Sequence, residues 1–223
     1  MLRRFRAVAA TLLVLAGLGI AVAPTASAAP CAYFADLPAK VSIDRASVQV
    51  PVVLRGCDGM FGYADANVYG PPGVVDFLFW DGGRTDYWTA YDFATRPGVY
   101  NTNDGSGYTS DYSAAAWRGD TTTVKFGTRA GVSAIRSGSR VTITATASRY
   151  SAGAGTFVPY ANRVIAIQHC LTNVSGCSVL AYAKTDGAGR ARITVSAPAT
   201  RYYRVTFGDT TSFWGATSAR YRK

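Results

Sequence analysis

Glutamate is absent from this sequence, and lysine, histidine and cysteine are scarce. All 13 acidic residues are aspartates, and the chain holds one histidine, four lysines and four cysteines. The lack of Glu and Lys pairs disfavours long helices, which such pairs commonly stabilise. So few imidazoles and thiols exclude His-rich or Cys-rich metal sites and most His-dependent catalytic groups.

The composition that is present predicts a folded β-protein. Hydrophobic residues make up 48% of the 223 residues and charged residues 16%, a balance that excludes a disordered tail. The chain also contains 23 glycines and 28 aromatic residues, which suit strands joined by tight turns. No helix-period segment of useful length follows the first 28 residues.

Residues 1–28 have the pattern of a secretory signal peptide. Three arginines among the first six residues precede an apolar run from Ala7 to Ala23, and Ala26-Ser27-Ala28 forms a small-residue cleavage site. Pro30 directly before Cys31 argues against a lipoprotein anchor. We therefore expect a secreted, extracellular protein that has no membrane segment after cleavage.

Four cysteines in an exported chain predict two disulfides, for which three connectivities exist. Cys170 and Cys177 bracket a polar turn between two apolar runs, so the pair is expected to face across a hairpin. That assignment leaves Cys31 to pair with Cys57. The loop-entropy estimate gives about 3.5 kcal/mol for the longer loop and about 2.5 kcal/mol for the shorter.

Charge divides the chain near residue 123 and suggests two domains. Residues 29–123 hold eleven aspartates against six basic residues, whereas residues 124–223 hold two aspartates against fourteen basic residues. The net charges are −5 and +12. We expect an acidic, aromatic-rich domain over 29–123 and a basic domain over 124–223.

Alternation of apolar and polar residues predicts antiparallel strands in the basic domain. Seven short strands in about 100 residues are typical of an immunoglobulin-like sandwich, with an eight-stranded barrel as the alternative. The predicted strands are Val124–Thr128, Val141–Ala147, Val164–Gln168, Val179–Lys184, Ala191–Ser196, Tyr202–Phe207 and Thr217–Tyr221.

The acidic domain is also predicted to be β-structure, although apolar and polar residues alternate less regularly in it. Pro51 indicates an edge strand or a bend. Fourteen of the 28 aromatic residues lie between Phe61 and Trp117, and the segments Val74–Trp80 and Tyr87–Phe93 are predicted strands. A hairpin through residues 81–84 is one way of joining them.

The last hundred residues resemble bacterial immunoglobulin-like repeats of secreted proteins from high-GC Gram-positive bacteria. The likeness lies in the turn Thr185–Arg190, the strand and turn Tyr202–Asp209, and the opening strand Thr121–Gly127. It implies two tandem antiparallel β-sandwiches that serve as surface, adhesive or accessory modules. The resemblance also makes an enzymatic function less expected for this protein.

No catalytic group, metal site or cofactor is predicted. The single histidine, His169, lies beside a predicted disulfide, and no GxSxG motif accompanies it. The aspartates among the aromatic strands could in principle form the acid pair of a sugar-cleaving enzyme. The Asn101–Tyr112 loop offers oxygen ligands but is no EF-hand, because Ser106 and Tyr112 replace the required Gly and Glu.

Aromatic side chains on an outer strand face are the best sign of ligand binding. Flat rings stack on sugars, so Trp80, Tyr87, Trp88 and Tyr91 are the candidate platform. The competing interpretation places these rings in the core, since alternation assigns Leu78 and Trp80 to one face of their strand.

The basic domain is expected to attract cell-wall polysaccharide or another polyanion, and no motif for specific nucleic-acid binding is present. The combined prediction is a secreted, non-catalytic binding or structural protein of two immunoglobulin-like domains. A carbohydrate-binding module is the first alternative, and a secreted enzyme or enzyme inhibitor is the second.

Overall fold

A computed structural model describes residues 31–223, and the predicted signal peptide lies outside this range. The described chain is all-β except for one short 3-10 turn, Ala152–Ala154. Among these residues, no helix has the length and apolarity needed to cross a bilayer.

Ten strands form the first sandwich. In chain order they are β1 (Ala32–Asp36), β2 (Lys40–Ile43), β3 (Ser47–Arg55), β4 (Phe61–Gly70), β5 (Gly73–Asp81), β6 (Thr85–Tyr91), β7 (Gly98–Asn101), β8 (Gly105–Thr109), β9 (Ala116–Arg118) and β10 (Thr121–Phe126). One sheet has the order β6-β3-β1-β9, and the other has the order β2-β10-β7-β4-β5 with β8 also on β4.

The start of the chain contributes to both sheets. Strand β1 pairs antiparallel with β3, and β2 then crosses over to pair parallel with β10. The split first strand and the strand order of the two sheets are those of an immunoglobulin-like sandwich. Pro51 lies where β3 has a neighbour on one side only, because β1 pairs with residues 53–55 alone. Although β3 lies between β6 and β1 and is not an edge strand, Pro51 stands in the part of it that is locally unpaired on one side.

The predicted domain boundary after residue 123 is corrected by strand β10. This strand continues to Phe126 and is held by β2 and β7, so Val124 and Lys125 belong to the first sandwich. The second sandwich begins at Thr128. The change in net charge therefore falls inside β10. Charge on outward-facing side chains does not determine where a sheet ends, so it did not mark the domain boundary.

The second aromatic segment does not form a hairpin with the first. Strand β5 is the edge of one sheet and β6 is the edge of the other, so residues 82–84 carry the chain across the side of the sandwich. Each strand therefore pairs on one side only, β5 with β4 and β6 with β3.

Nine strands form the second sandwich. They are β11 (Thr128–Ser137), β12 (Arg140–Ser151), β13 (Thr156–Pro159), β14 (Val164–Cys170), β15 (Cys177–Lys184), β16 (Arg190–Ser196), β17 (Tyr202–Phe207), β18 (Ala216–Thr217) and β19 (Tyr221–Arg222). Strand β12 lies between β11 and the pair β13 and β16, while the facing sheet runs β15-β14-β17 with β18 and β19 on β17.

Five of the seven strands predicted here are confirmed, and of the predicted strand Thr217–Tyr221 only the two end residues lie in strands, one in β18 and one in β19. The first predicted strand, Val124–Thr128, is wrong because most of it completes the other sandwich as β10. Its place is taken by β11, which the pattern missed. Ala134 is the one fully buried residue of β11, so this strand shows little alternation.

Both predicted disulfides are confirmed. Cys31 bonds to Cys57, which joins the beginning of β1 to the loop after β3. Cys170 and Cys177 are directly opposite each other at the end of the β14–β15 hairpin, and they are bonded. Each sandwich has one disulfide, and the described chain has no free cysteine.

The two sandwiches share a buried joint. Tyr150, at the end of β12, is 1% exposed and packs within the core of the first sandwich. Its hydroxyl donates a hydrogen bond to Asp92 Oδ2 at 2.7 Å, a carboxylate that is itself buried. Burial and the nearby carboxylate raise the pKa of Tyr150 to about 12.

Trp214 and Phe126 hold the other side of the joint. The Trp214 backbone N–H donates to the Phe126 carbonyl at 3.0 Å, and the Trp214 indole N–H donates to the Val41 carbonyl at 2.9 Å. Lys125 Nζ lies 4.7 Å from the Trp214 ring centroid and 3.2 Å from Asp209 Oδ2. The polar groups of this joint are therefore paired across it.

Replacing Tyr150 with Phe is expected to lower the free energy of unfolding by about 1–3 kcal/mol, because it leaves the Asp92 carboxylate buried without this partner. Denaturation midpoints in urea measure the change. Tyr182→Phe is the matched control, since that side chain is 70% exposed. Equal midpoints for the two variants would contradict the role of the Tyr150–Asp92 hydrogen bond.

Candidate functional site

The open side of the first sandwich lies between its two edge strands, β5 and β6. Two aspartates connect these strands in place of a backbone ladder. The Thr89 N–H on β6 donates to Asp76 Oδ2 on β5 at 3.3 Å, and the Phe79 N–H on β5 donates to Asp86 Oδ2 on β6 at 2.8 Å. Each carboxylate thus occupies an N–H of the opposite edge that would otherwise be free.

The same carboxylates also bind their own strands. Asp76 Oδ1 accepts from the Phe77 N–H at 2.9 Å, and Asp86 Oδ1 accepts from the Tyr87 N–H at 2.8 Å. Both oxygens of each group are therefore engaged. Unpaired edge strands otherwise invite pairing with another chain, so these contacts protect the edge.

Two of the four predicted platform residues lie in the core instead. Trp80 and Trp88 are each 1% exposed. The Trp80 indole N–H donates to the Val52 carbonyl at 3.3 Å, and the Trp88 ring stacks on Tyr100 with centroids 4.8 Å apart. For both tryptophans the platform interpretation is wrong and the competing core interpretation is confirmed, because positions 78 and 80 of β5 and positions 88 and 90 of β6 face inward.

The other two predicted residues are exposed. Tyr87 is 52% and Tyr91 is 45% exposed, and both extend from the outward face of β6 with Thr89 between them. Four residues along a strand separate the two tyrosines by about 13 Å. Phe93 continues the aromatic surface, with its ring centroid 5.4 Å from that of Tyr91.

A cleft of about 640 Å³ runs along these tyrosines. This volume is within the range of ligand-binding clefts. Its lining combines the exposed rings of Tyr87 and Tyr91 with polar groups of Asp76, Thr89 and Thr95, and it also includes Pro72, Val75, Trp88 and Ala94. The cleft can therefore offer flat apolar surfaces and hydrogen-bonding groups to one ligand.

The outer face of β5 carries a second aromatic group that alternation alone could have identified. Phe77 and Phe79 are 56% and 49% exposed. On the neighbouring strand, Tyr63 stacks on Tyr108 with centroids 5.0 Å apart and lies 6.4 Å from Phe79. These rings lie on the outside of the sheet.

Of the four aspartates among the aromatic strands, three have separate hydrogen-bond partners. Asp76 and Asp86 accept backbone N–H groups, Asp92 accepts the Tyr150 hydroxyl, and Asp81 is exposed beside the crossing turn. His169 contacts the Ser178 hydroxyl at 2.8 Å. Among residues 31–223, no carboxylate forms a hydrogen bond with that histidine.

The oxygen-rich loop near residue 104 does not gather its ligands at one point. Asp104 Oδ2 accepts from the Tyr69 hydroxyl at 2.7 Å and from Asn67 Nδ2 at 3.2 Å. Asp111 instead accepts from the Thr109 hydroxyl and the Ser113 N–H. Within the described range, no three His, Cys or acidic residues are grouped as a metal site would require.

Comparisons with known proteins give low similarity. No family model and no curated protein matches the chain. Among solved structures, the BSP domain of a biofilm associated protein aligns at 11% identity and a TM-score of 0.28, over 84% of this chain and 28% of that one. A Salmonella alpha-2-macroglobulin aligns at 11% identity and 0.41, over 86% of this chain and 14% of that one.

Fibronectin(III)-like modules of Clostridium thermocellum CbhA align at 13% identity and a TM-score of 0.37, over 85% of this chain and 90% of that one. The chain thus spans less than a third of the first two matching structures. At TM-scores below 0.5, these likenesses assign no function. The immunoglobulin-like description rests on the strand order of the chain itself.

Trp88→Ala is expected to lower the free energy of unfolding by about 3–5 kcal/mol, because it opens a cavity beside Tyr100. Tyr87→Ala, one residue away on the exposed face, is expected to change it by less than about 0.5 kcal/mol. Thermal and urea denaturation compare the two variants. Similar losses would mean that the two faces of β6 are not divided between core and surface.

Proposed function

We propose that this protein is a secreted, non-catalytic binding module that holds polysaccharide chains in the cleft along β6. The observation that carries the proposal is the pair Tyr87 and Tyr91, exposed on one strand face about 13 Å apart above a cleft of about 640 Å³. This spacing suits an elongated glycan that contacts both rings. Stacking on each ring combines with polar contacts at Thr89 and Thr95.

Several features support the extracellular and non-catalytic parts of the proposal. Two disulfides are typical of proteins that fold in an oxidising compartment, and the predicted signal peptide leads to the same compartment. Asp76, which lines the cleft, and Asp86 on β6 each accept backbone N–H groups through both oxygens. Such carboxylates are poorly suited to proton transfer.

Tyr87→Ala and Tyr91→Ala are each expected to weaken glycan binding by about 1 kcal/mol, roughly fivefold in Kd, because each removes one stacking surface. A glycan array and pull-down with insoluble cellulose, chitin and bacterial cell-wall polysaccharide identify the ligand. Titration with the best ligand then gives the affinity of each variant.

Phe77→Ala is the matched control for this experiment, because Phe77 is equally exposed but does not line the cleft. Binding by Phe77→Ala should equal that of the unaltered protein. An absence of binding across the panel, or an equal loss with Phe77→Ala, would contradict the cleft as the glycan site.

We propose a second candidate function, polyanion binding, for the basic sandwich. Arginine guanidinium groups are held against aromatic rings on its surface. Arg149 lies 5.2 Å from the Phe213 ring centroid, Arg163 lies 5.5 Å from that of Tyr160, and Arg129 lies 3.7 Å from that of Phe157. Rings that restrain these guanidinium groups reduce the entropy lost when an anion binds.

Binding of purified teichoic acid should weaken steeply as salt concentration rises, because bound phosphates release counterions. The double variant Arg149→Gln with Arg163→Gln should reduce the slope of log K against log salt by about 2. Arg140→Gln with Arg192→Gln removes the same charge from other exposed positions and is the control. Affinity that does not depend on salt would contradict this function.

A further inference from the structure

A second cleft, of about 210 Å³, opens at the end of the basic sandwich. Like the first cleft, it lies between the edge strands of the two facing sheets, here β15 and β16. Leu180, Val195 and Pro198 contribute apolar groups to its wall, and His169, Arg201 and Tyr203 contribute polar groups. None of these residues takes part in the proposed glycan site or in the arginine surface.

Tyr203 has a buried hydroxyl with no hydrogen-bond partner in the described part of the chain. The side chain is 1% exposed and lines the cleft, whose rim residues Ser196 and Pro198 are exposed. A buried hydroxyl without a partner is costly and rare in folded proteins. A ligand with a hydrogen-bond acceptor would satisfy it. Burial raises the pKa of Tyr203, which therefore remains a hydroxyl donor at neutral pH.

The surroundings of this hydroxyl are cationic. Arg201 lines the cleft, and Arg136 donates hydrogen bonds to the carbonyls of Ala197 and Ala199 at its rim.

The two aspartates of the basic sandwich have partners away from this cleft. Asp186 binds its own turn at the other end of β15 and β16, and Asp209 lies at the joint with Lys125. No acidic side chain lines the cleft, and Arg201 forms no salt bridge within the described residues; its backbone pairs with that of Lys223 beside the cleft.

We infer that this cleft binds a small carboxylate that bears a short aliphatic group. The carboxylate pairs with the Arg201 guanidinium and accepts a hydrogen bond from the Tyr203 hydroxyl, while the aliphatic group packs on Leu180, Val195 and Pro198. The volume corresponds to about seven water molecules, which limits the part of the ligand inside the cleft to a few non-hydrogen atoms. A free short-chain acid and the C-terminus of a peptide ending in a small residue share this chemistry.

Three probes distinguish these sources when amide chemical shifts of the purified protein are followed by NMR. The probes are sodium isobutyrate, N-acetyl-alanyl-alanine, and the same dipeptide with a C-terminal amide. Saturable shifts at His169, Arg201 and Tyr203 are expected with the first two probes and not with the amide. Tighter binding of the dipeptide acid identifies a peptide C-terminus, and tighter binding of isobutyrate identifies a free acid.

Arg201→Gln is expected to weaken binding at least tenfold, because it removes the charge that pairs with the carboxylate. Tyr203→Phe keeps the ring and its packing and removes only the hydroxyl. We expect it to weaken binding at least threefold, and this loss measures the contribution of the hydroxyl. Arg192→Gln removes an exposed charge of the same sandwich outside the cleft and should bind as the unaltered protein does.

Several results would overturn the inference. These are the absence of saturable shifts with both acids, equal binding of the acid and the amide, and an equal loss in Arg201→Gln and Arg192→Gln. Full binding by Tyr203→Phe would also overturn it, since the hydroxyl would then make no contact with the ligand. A folded spectrum of each variant separates lost binding from lost structure.

Discussion

The structure depends on one property of the β-strand, that successive side chains point to opposite faces. Strands β5 and β6 are apolar on both faces, and they lie at the edges of two different sheets. Residues at inward positions, such as Trp80 and Trp88, lie in the core. Their neighbours along the strands, such as Phe79 and Tyr87, therefore point outward and are exposed. The candidate cleft is therefore a consequence of the same alternation that builds the core.

An edge strand rich in aromatic residues is prone to aggregation, and this chain limits the risk with aspartate. The side chains of Asp76 and Asp86 are short enough to accept the N–H of the next residue while also reaching the opposite strand. A longer glutamate side chain would fit that double contact less well. The absence of glutamate from the sequence agrees with a fold that uses its carboxylates close to the backbone, at edges and turns.

Sequence reasoning identified most strands of the second sandwich and the Cys170–Cys177 disulfide because these are local features, and the Cys31–Cys57 disulfide then followed by elimination. The hairpin pairing of Cys170 with Cys177 needed only seven residues, and β17 was located to its ends from alternation alone. Alternation gives two faces for each strand, but it does not say which face is covered, and this is why the sequence left Trp80 and Trp88 open between core and platform. Whether the Tyr203 hydroxyl has a hydrogen-bond partner depends on the positions of atoms from several strands. No pattern in the sequence could therefore reveal that it lacks one within the described residues.

The buried joint gives the two clefts a fixed relation to each other. Tyr150 belongs to the second sandwich but fills the core of the first, and Trp214 hydrogen-bonds to residues of β2 and β10. Bending at this joint would expose the Asp92 carboxylate and break its hydrogen bond, so the folded state resists bending. If both clefts bind as proposed, two sites on such a body would bind one matrix more tightly than either site alone, because the second contact forms at a high effective concentration. Weakening the joint should therefore reduce attachment to a surface that presents both ligands while each isolated affinity stays the same.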